Sequence, residues 1–197
     1  MKAFMSSVPP DILAWRKRTG ADQWDEMWDG VLHMTPSPNR EHQDLEFAVE
    51  NYLRTHWQPR SGGKVYHQIN VARPGTWPND YRIPDVILLL PERFSIDRNE
   101  YFEGGPDVAV EIRSPDDETY DKMPFYAGVG VREVWVIDRD TKICEIHALE
   151  GTSYRKLEPN SEGWLESPVT SVLMRSTDKA KVELRIGGAE ETLATVP

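Results

Sequence analysis

The sequence predicts an α/β (α+β) fold in which a mixed central β-sheet is flanked by helices. Three patterns carry this prediction. Apolar residues recur at helical spacing between residues 37 and 56, the run Ile83–Leu90 is almost continuously apolar, and Lys64–Ala72 and Asp107–Ile112 alternate as half-buried strands do. A second, shorter helical pattern precedes a last group of strands, and this order indicates helices packed on a mixed sheet.

The first part of the chain predicts an arm, a hairpin and the main helix. Residues 1–20 form an N-terminal arm with a short helix over Pro10–Arg18, and the dipeptide Asp29-Gly30 predicts the turn of a hairpin over Trp24–Thr35. Ser37-Pro38 is typical of a helix start, with serine as the cap and proline in the first turn. The apolar stripe of the helix that follows comprises Leu45, Ala48, Val49, Tyr52 and Leu53.

The second part of the chain predicts mostly strands. A short helix covers Lys122–Ala127, and a hairpin follows over residues 133–148. The segment Thr152–Thr195 predicts two or three further short strands. We therefore predict a single domain over residues 21–197, with a C-terminal β extension over about residues 150–197.

Composition restricts the compartment and the partners. The chain has 197 residues, one cysteine (Cys144, predicted to be a core thiol) and a formal net charge of −10. Its N-terminus has no signal-peptide pattern, and its longest apolar run, Val86–Leu90, is too short to span a bilayer, so we expect a cytoplasmic protein without a membrane partner. The negative charge argues against tight non-specific binding to nucleic acid.

Two acids interrupt apolar strands and predict a metal site. Asp85 lies in Ile83–Leu90, and Glu111 lies in Asp107–Ile112. Burial of an unpaired carboxylate is costly, and two converging carboxylates repel each other unless a cation or a proton lies between them. If the two strands pair, both acids meet at one end of the sheet. Oxygen ligands suit a hard ion, so the expected cofactor is Mg²⁺ or Mn²⁺.

Several segments, in this order, resemble one family. They are WDEMWDGVLHMTPSPNREHQ, IPDVILLL, GGPDVAVEIRSPDDETYDK and FYAGVGVREVWVID, between about residues 22 and 148. The pattern Ile-Pro-Asp at 83–85 followed by Glu-Ile-Arg at 111–113 resembles the PD-(D/E)XK nuclease superfamily, and more closely the Uma-two family of restriction-endonuclease-like bacterial proteins. The resemblance implies a restriction-endonuclease-like fold and a metal-dependent endonuclease that hydrolyses phosphodiester bonds, with DNA as the expected substrate.

The resemblance also implies residue roles. In that superfamily the acids matching Asp85 and Glu111 hold the metal, and the carbonyl matching Ile112 often adds a ligand. An acid of the first helix often faces the site, and Glu41 matches it because it lies four residues before the inward Leu45.

The basic positions depart from the family pattern. The usual strand lysine is Arg113 here, and arginine cannot accept a proton from water, although it can stabilise charge on a phosphate. Lys122, on the next helix, matches a further lysine of the family pattern and is the expected partner that orients the attacking water.

Structural readings of the same residues stay open. Asp85 could cap a turn after Pro84, Glu111 could be the partner of a buried ion pair, and Glu41 could be an exposed first-turn acid favoured by the helix dipole. The histidines lack the H-x-x-x-H spacing of many zinc sites. The alternative function is a catalytically inactive nuclease fold that serves as a binding or assembly module. For either function we expect a homodimer, with Val169–Arg185 as the candidate pairing edge.

Overall fold

The computed structural model describes residues 3–5, 8–35 and 37–197. The helices are α1 (Pro10–Thr19), α2 (Arg40–Tyr52), α3 (Gln58–Ser61) and α4 (Met123–Val129), with a π-helical segment at Leu53–Trp57 and 3-10 turns at Pro91–Ile96 and Tyr120–Lys122. The strands are β1 (Ala3–Met5), β2 (Glu26–Trp28), β3 (Val31–Met34), β4 (Lys64–His67), β5 (Asn70–Ala72), β6 (Tyr81–Arg82), β7 (Val86–Leu89), β8 (Tyr101–Glu103), β9 (Val108–Arg113), β10 (Glu133–Asp138), β11 (Cys144–Glu150), β12 (Ser153–Lys156), β13 (Leu165–Glu166), β14 (Val172–Ser176), β15 (Val182–Ile186) and β16 (Ala189–Val196).

The central sheet is mixed, as predicted. Its strand order is β12-β11-β10-β9-β7-β4. Strands β9 and β10 are parallel and are connected through α4, whereas the other neighbours in this sheet are antiparallel. Val86 of β7 pairs with Val110 of β9, so Asp85, immediately before β7, and Glu111 of β9 lie at the same end of the sheet.

Each face of the central sheet is covered by its own layer. Val86 and Val110 belong to a core with α2 and the four-stranded sheet β13-β14-β15-β16. Ile87 and Ala109 belong to a second core with α4 and the sheet β1-β3-β2-β6-β5-β8. Since the side-chain period of a strand is two, Glu111 of β9 is on the α4 face, with Ala109. The α+β fold class is thereby confirmed.

The strand predicted over Lys64–Ala72 is divided between two sheets. Its first part, β4, pairs with β7 in the central sheet, and its last part, β5, pairs with β6 and β8 in the second sheet. The break falls at Gln68, whose φ is +47°, a value that a continuous strand does not allow. Period-two alternation could not reveal this because the sequence pattern of Val65, His67, Ile69 and Val71 continues across the break.

Three other features of the fold differ from the prediction: the cap of α2, the number of C-terminal strands and the edges of their sheet. Helix α2 begins at Arg40, and its cap is Asn39, whose Oδ1 accepts the backbone N–H of His42 at 2.9 Å, so Ser37 is not the cap. The C-terminal part contains five strands, β12 to β16, where two or three were predicted. Within the predicted edge Val169–Arg185, β14 and β15 are interior strands, so the edges of that sheet are β13 and β16.

Two smaller expectations can be compared with the structure. Cys144 is buried, as predicted, and burial raises the pKa of its thiol to about 12. Among the described residues, no helix is long and apolar enough to cross a membrane.

Candidate active site

A cavity of about 660 Å³ opens where β7 begins and β9 ends, beside Asp85 and Glu111. Its walls come from β2, the start of α2, the segment before β7, the end of β9 and the loop that leads to α4. The lining residues are Trp24, Glu26, Thr35, Ser37, Pro38, Asn39, His42, Gln68, Ile83, Asp85, Glu111, Ile112, Ser114, Pro115, Asp116, Asp117, Glu118, Thr119, Lys122 and Arg139.

Asp85 is fixed by the neighbouring strand. Its Oδ2 accepts the backbone N–H of Ile112 at 2.6 Å, and its Oδ1 lies 3.2 Å from Nε2 of His42. The N–H and C=O of an extended residue point to the same edge of the strand, so the Ile112 carbonyl also faces the Asp85 side. The register would place Pro84 opposite Ile112, and proline has no N–H for that carbonyl. Asp85 and the Ile112 carbonyl are therefore well disposed to share a cation.

Glu111 is buried between two donors from the α4 segment. Its Oε1 accepts the hydroxyl of Tyr126 at 2.5 Å, and Nζ of Lys122 lies 3.2 Å from both carboxylate oxygens. Burial, with additional repulsion from Asp85 and Glu26, raises the pKa of Glu111 to about 8 despite the opposing effect of Lys122. Without a bound cation, this acid therefore holds a proton more readily than an ordinary glutamate.

Lys122 bridges Glu111 to a second acid, Glu26. The Lys122 Nζ lies 2.9 Å from Oε1 of Glu26, which is buried on β2 and also accepts the N–H of Ile83 and Nε1 of Trp28. Burial lowers the pKa of Lys122, but the two carboxylates outweigh this effect and raise it above the ordinary value. Lys122 is therefore a permanent cation near Glu111. Sequence reasoning missed Glu26, since the hairpin pattern did not show which of its acids turns inward.

Helix α2 contributes a histidine and a glutamate that the sequence analysis did not select. One ligand atom from each of His42, Glu46 and Asp85 lies within 4.8 Å of the other two. Burial, together with repulsion from Asp85, raises the pKa of Glu46 to about 9. The i, i+4 spacing of His42 and Glu46 on either side of the inward Leu45 is the signal that could have found them.

Two residues predicted for the site do not reach the cavity. The side chain of Glu41 is 58% exposed and lies 3.8 Å from Arg40, so the expected inward orientation is wrong. Glu41 lies beside the buried stripe, whose first members are His42, Leu45 and Glu46. Arg113 is held at 2.7 Å by Asp138, its register partner on β10, and packs over the ring of Tyr120.

Arg139 is the arginine that lines the cavity. Its Nη1 lies 3.4 Å from Oγ of Ser114, which in turn lies 3.3 Å from Nδ1 of His42. This guanidinium replaces that of Arg113 as the arginine charge facing the site. The predicted residues that the structure brings together are therefore Asp85, Glu111, Ile112 and Lys122.

The sequence model of a protein family matches residues 9–177, and the family is described as Uma2, "Putative restriction endonuclease". The chain belongs to the Uma2 family. The fold is also similar to a solved structure described as a "putative nuclease belonging to DUF820" from Anabaena variabilis ATCC 29413. That similarity has a TM-score of 0.59 and 17% identity, and it covers 75% of this chain and 83% of that chain. A search of curated proteins found no match.

The donor set of this Uma2 protein fits a divalent cation. Asp85 is shared between two possible ligand groups: one with Glu111 and the Ile112 carbonyl, and one with His42 and Glu46. Burial is the largest cause of the raised pKa of both Glu46 and Glu111, and repulsion from Asp85 contributes to each. A bound cation would relieve that repulsion, because carboxylate oxygens are ligands that hard divalent ions prefer.

Proposed function

We propose that the protein is a divalent-metal-dependent endonuclease that hydrolyses phosphodiester bonds in DNA. Membership of the Uma2 family supports nuclease activity. The observation that carries the proposal is the convergence of Asp85, Glu111 and the Ile112 backbone in one cavity, with Lys122 in contact with Glu111. Buried carboxylates with raised pKa values are a recurring feature of functional sites.

Asp85, Glu111 and the carbonyl of Ile112 would hold one Mg²⁺ or Mn²⁺, and His42 and Glu46 extend the donor set toward α2. A bound divalent ion supplies a lowered pKa for the attacking water and polarises the phosphoryl oxygen. Tyr126 keeps one Glu111 oxygen in place, and the N–H of Ile112 does the same for Asp85. These contacts orient the ligands before any ion arrives, which reduces the cost of binding.

Lys122 supplies positive charge and hydrogen-bond donors. Its raised pKa excludes it as a proton acceptor, so its role is to orient the nucleophilic water and to stabilise charge that develops on the phosphate. Arg139, which also lines the cavity, is suited to bind a phosphate oxygen. Arg113 would act indirectly, through Asp138 and the strand end that carries Glu111.

The net charge of −10 is compatible with a DNA substrate when a metal ion occupies the cavity. Each bound divalent ion offsets two negative charges where the phosphate would enter, so attraction to DNA is expected to depend on the ion. We further propose that the protein acts in the cytoplasm and as a homodimer, which would present two sites to two strands.

The test is a cleavage assay on supercoiled plasmid DNA with millimolar Mg²⁺ or Mn²⁺, run with the native protein, Glu111→Ala and Lys122→Ala. We expect nicking or linearisation by the native protein, no activity above background for Glu111→Ala, and at least a hundredfold slower turnover for Lys122→Ala with nearly unchanged DNA affinity. Bound but uncleaved DNA with every protein and both metals would instead favour a non-catalytic binding module.

A further inference from the structure

A second cavity, of about 290 Å³, lies beside the first on the outer side of α2. The two cavities share Trp24, Pro38 and Gln68 in their walls. Glu46, whose carboxylate is close to Asp85, also lines the second cavity. A ligand bound at the candidate active site could therefore extend along the protein surface into this second cavity.

The second cavity combines aromatic rings with amide side chains. Phe47 of α2 is 68% exposed, although a phenylalanine gains most from burial. Phe47 and the half-buried Trp24 both line this cavity, and Gln23 and Gln43 add amide groups. Single exposed apolar residues are common, but two aromatic rings in one cavity that adjoins a candidate catalytic site are a more specific arrangement.

The charges of this cavity select the kind of group that it could accept. Glu46 and Glu50 line it, and His67 lies 3.2 Å from Glu46 and 2.9 Å from Glu50. An anionic phosphate would be repelled there. A neutral planar base would meet rings on which to stack and amides that can donate to and accept from its edge.

A hydrogen-bonded chain connects this cavity to the candidate metal ligands. Nε1 of Trp24 donates to Oε1 of Gln68 at 3.1 Å, and Nε2 of Gln68 donates to Oε1 of Glu46 at 3.0 Å. Trp24 is therefore held in place by the same side chain that orients Glu46. A base on the Trp24 side would be one side chain away from the acids that face the phosphate.

We infer that the Trp24–Phe47 cavity is a nucleobase subsite that takes an unstacked base of the nucleotide adjoining the phosphate bound at Asp85 and Glu111. This inference rests on the proposed function. It adds that the substrate has an unpaired or extruded base beside the cleaved bond, as in a single strand, a flap or a locally opened duplex.

The test measures binding and not cleavage. A fluorescein-labelled 12-nucleotide single strand is titrated with protein in Ca²⁺, and fluorescence anisotropy is recorded for the intact strand and for strands with one tetrahydrofuran abasic residue at each position in turn. We expect one sensitive position, at which loss of the base weakens binding by about fivefold or more, as expected for loss of one base–aromatic stack.

Phe47→Ala should weaken binding of the intact strand by a similar factor and should abolish the effect of the abasic residue, because the two changes remove the same contact. Phe47 is largely exposed, so this variant should fold normally. Trp15→Ala is the matched control: Trp15 is 50% exposed on α1 and lies outside both described cavity linings. Its affinity should equal that of the native protein.

Equal sensitivity of the native protein and Phe47→Ala at every abasic position would overturn the inference, and so would the absence of any strand binding. A change of oligomeric state in Phe47→Ala with unchanged strand affinity would assign the ring to self-association and would also overturn it. If the native protein cleaves plasmid DNA but an abasic residue has the same effect on binding at every position, the proposed function stands and only the subsite is refuted.

Discussion

At the scale of single residues, the site depends on donors that hold the acids in place. Tyr126 is fully buried, and its hydroxyl donates a hydrogen bond to Glu111. We predict that Tyr126→Phe, which keeps the ring, lowers Mn²⁺ affinity by about tenfold, as measured by isothermal titration calorimetry, because outer contacts orient metal ligands. Tyr154→Phe is the control: its hydroxyl donates to the Val131 carbonyl, away from the site, so its Mn²⁺ affinity should be native. Equal affinities for all three proteins would exclude a role for Tyr126 in metal binding.

The second residue-scale prediction concerns the pKa of Glu46. Its folded-state value of about 9 exceeds its ordinary value of 4.5. Between these values the folded protein retains a proton that the unfolded chain releases, so the stability of the metal-free protein falls as pH rises from about 5 to 9. Glu46→Gln does not ionise, and its melting temperature should fall less over this range.

Metal binding reverses the preference of the folded protein for protonated Glu46, because a cation requires the ionised carboxylate. The rise in melting temperature caused by Mn²⁺ should therefore increase with pH in the native protein and be smaller in Glu46→Gln. Differential scanning fluorimetry at several pH values measures both effects. Parallel curves for native and variant proteins, with and without Mn²⁺, would mean that Glu46 neither titrates in this range nor meets the ion.

At the scale of elements, the start of α2 determines where His42 lies. Asn39→Ala removes the cap of α2 and should lower the free energy of unfolding by about 1 kcal/mol, as measured by urea denaturation. Ser37→Ala is the matched control, since Ser37 is the cap that the sequence pattern favours but is exposed in the structure. A larger loss for Ser37→Ala than for Asn39→Ala would contradict the observed cap.

The main elements could be predicted because their signals are local. The apolar stripe from Leu45 to Leu53 indicates a helix, and the continuous run before Pro91 indicates a strand covered on both faces. Asp85 and Glu111 were found for a related reason, since each is an acid that interrupts such a strand. These predictions need no knowledge of distant partners.

The remaining features depend on contacts between distant segments. Periodicity placed Arg113 on the face of Glu111 but could not show that Asp138, its register partner, holds it away from the cavity. Likewise, His42 and Glu46 lie on a helix that packs on one sheet face, while Asp85 lies immediately before β7 at the end of the sheet. Only the position of the helix end relative to the strand end brings them together.

At the scale of the whole molecule, we predict a homodimer. Strand β16, with eight residues and an exposed Leu193 (49%), is the long edge of the C-terminal sheet, and exposed edges favour pairing with another chain. Light scattering at micromolar concentration should give twice the chain mass of 22.6 kDa. Leu193→Lys should shift the mass toward a monomer, and a native protein that remains at 22.6 kDa would refute the prediction.

The placement of His42 has a consequence for local motion. His42 and Glu46 come from the layer on one side of the central sheet, and Glu111 contacts the α4 segment on the other. Asp85 contacts His42 at the sheet's end, so the cluster joins both layers. A brief release of the first turn of α2 would separate the ligands while both cores stay intact, a sub-global opening. Amides of residues 40–46 should then exchange with deuterium faster than those of β9, and saturating Mn²⁺ should slow them selectively. The bound ion would then stabilise the first turn of α2, which otherwise opens independently of both cores.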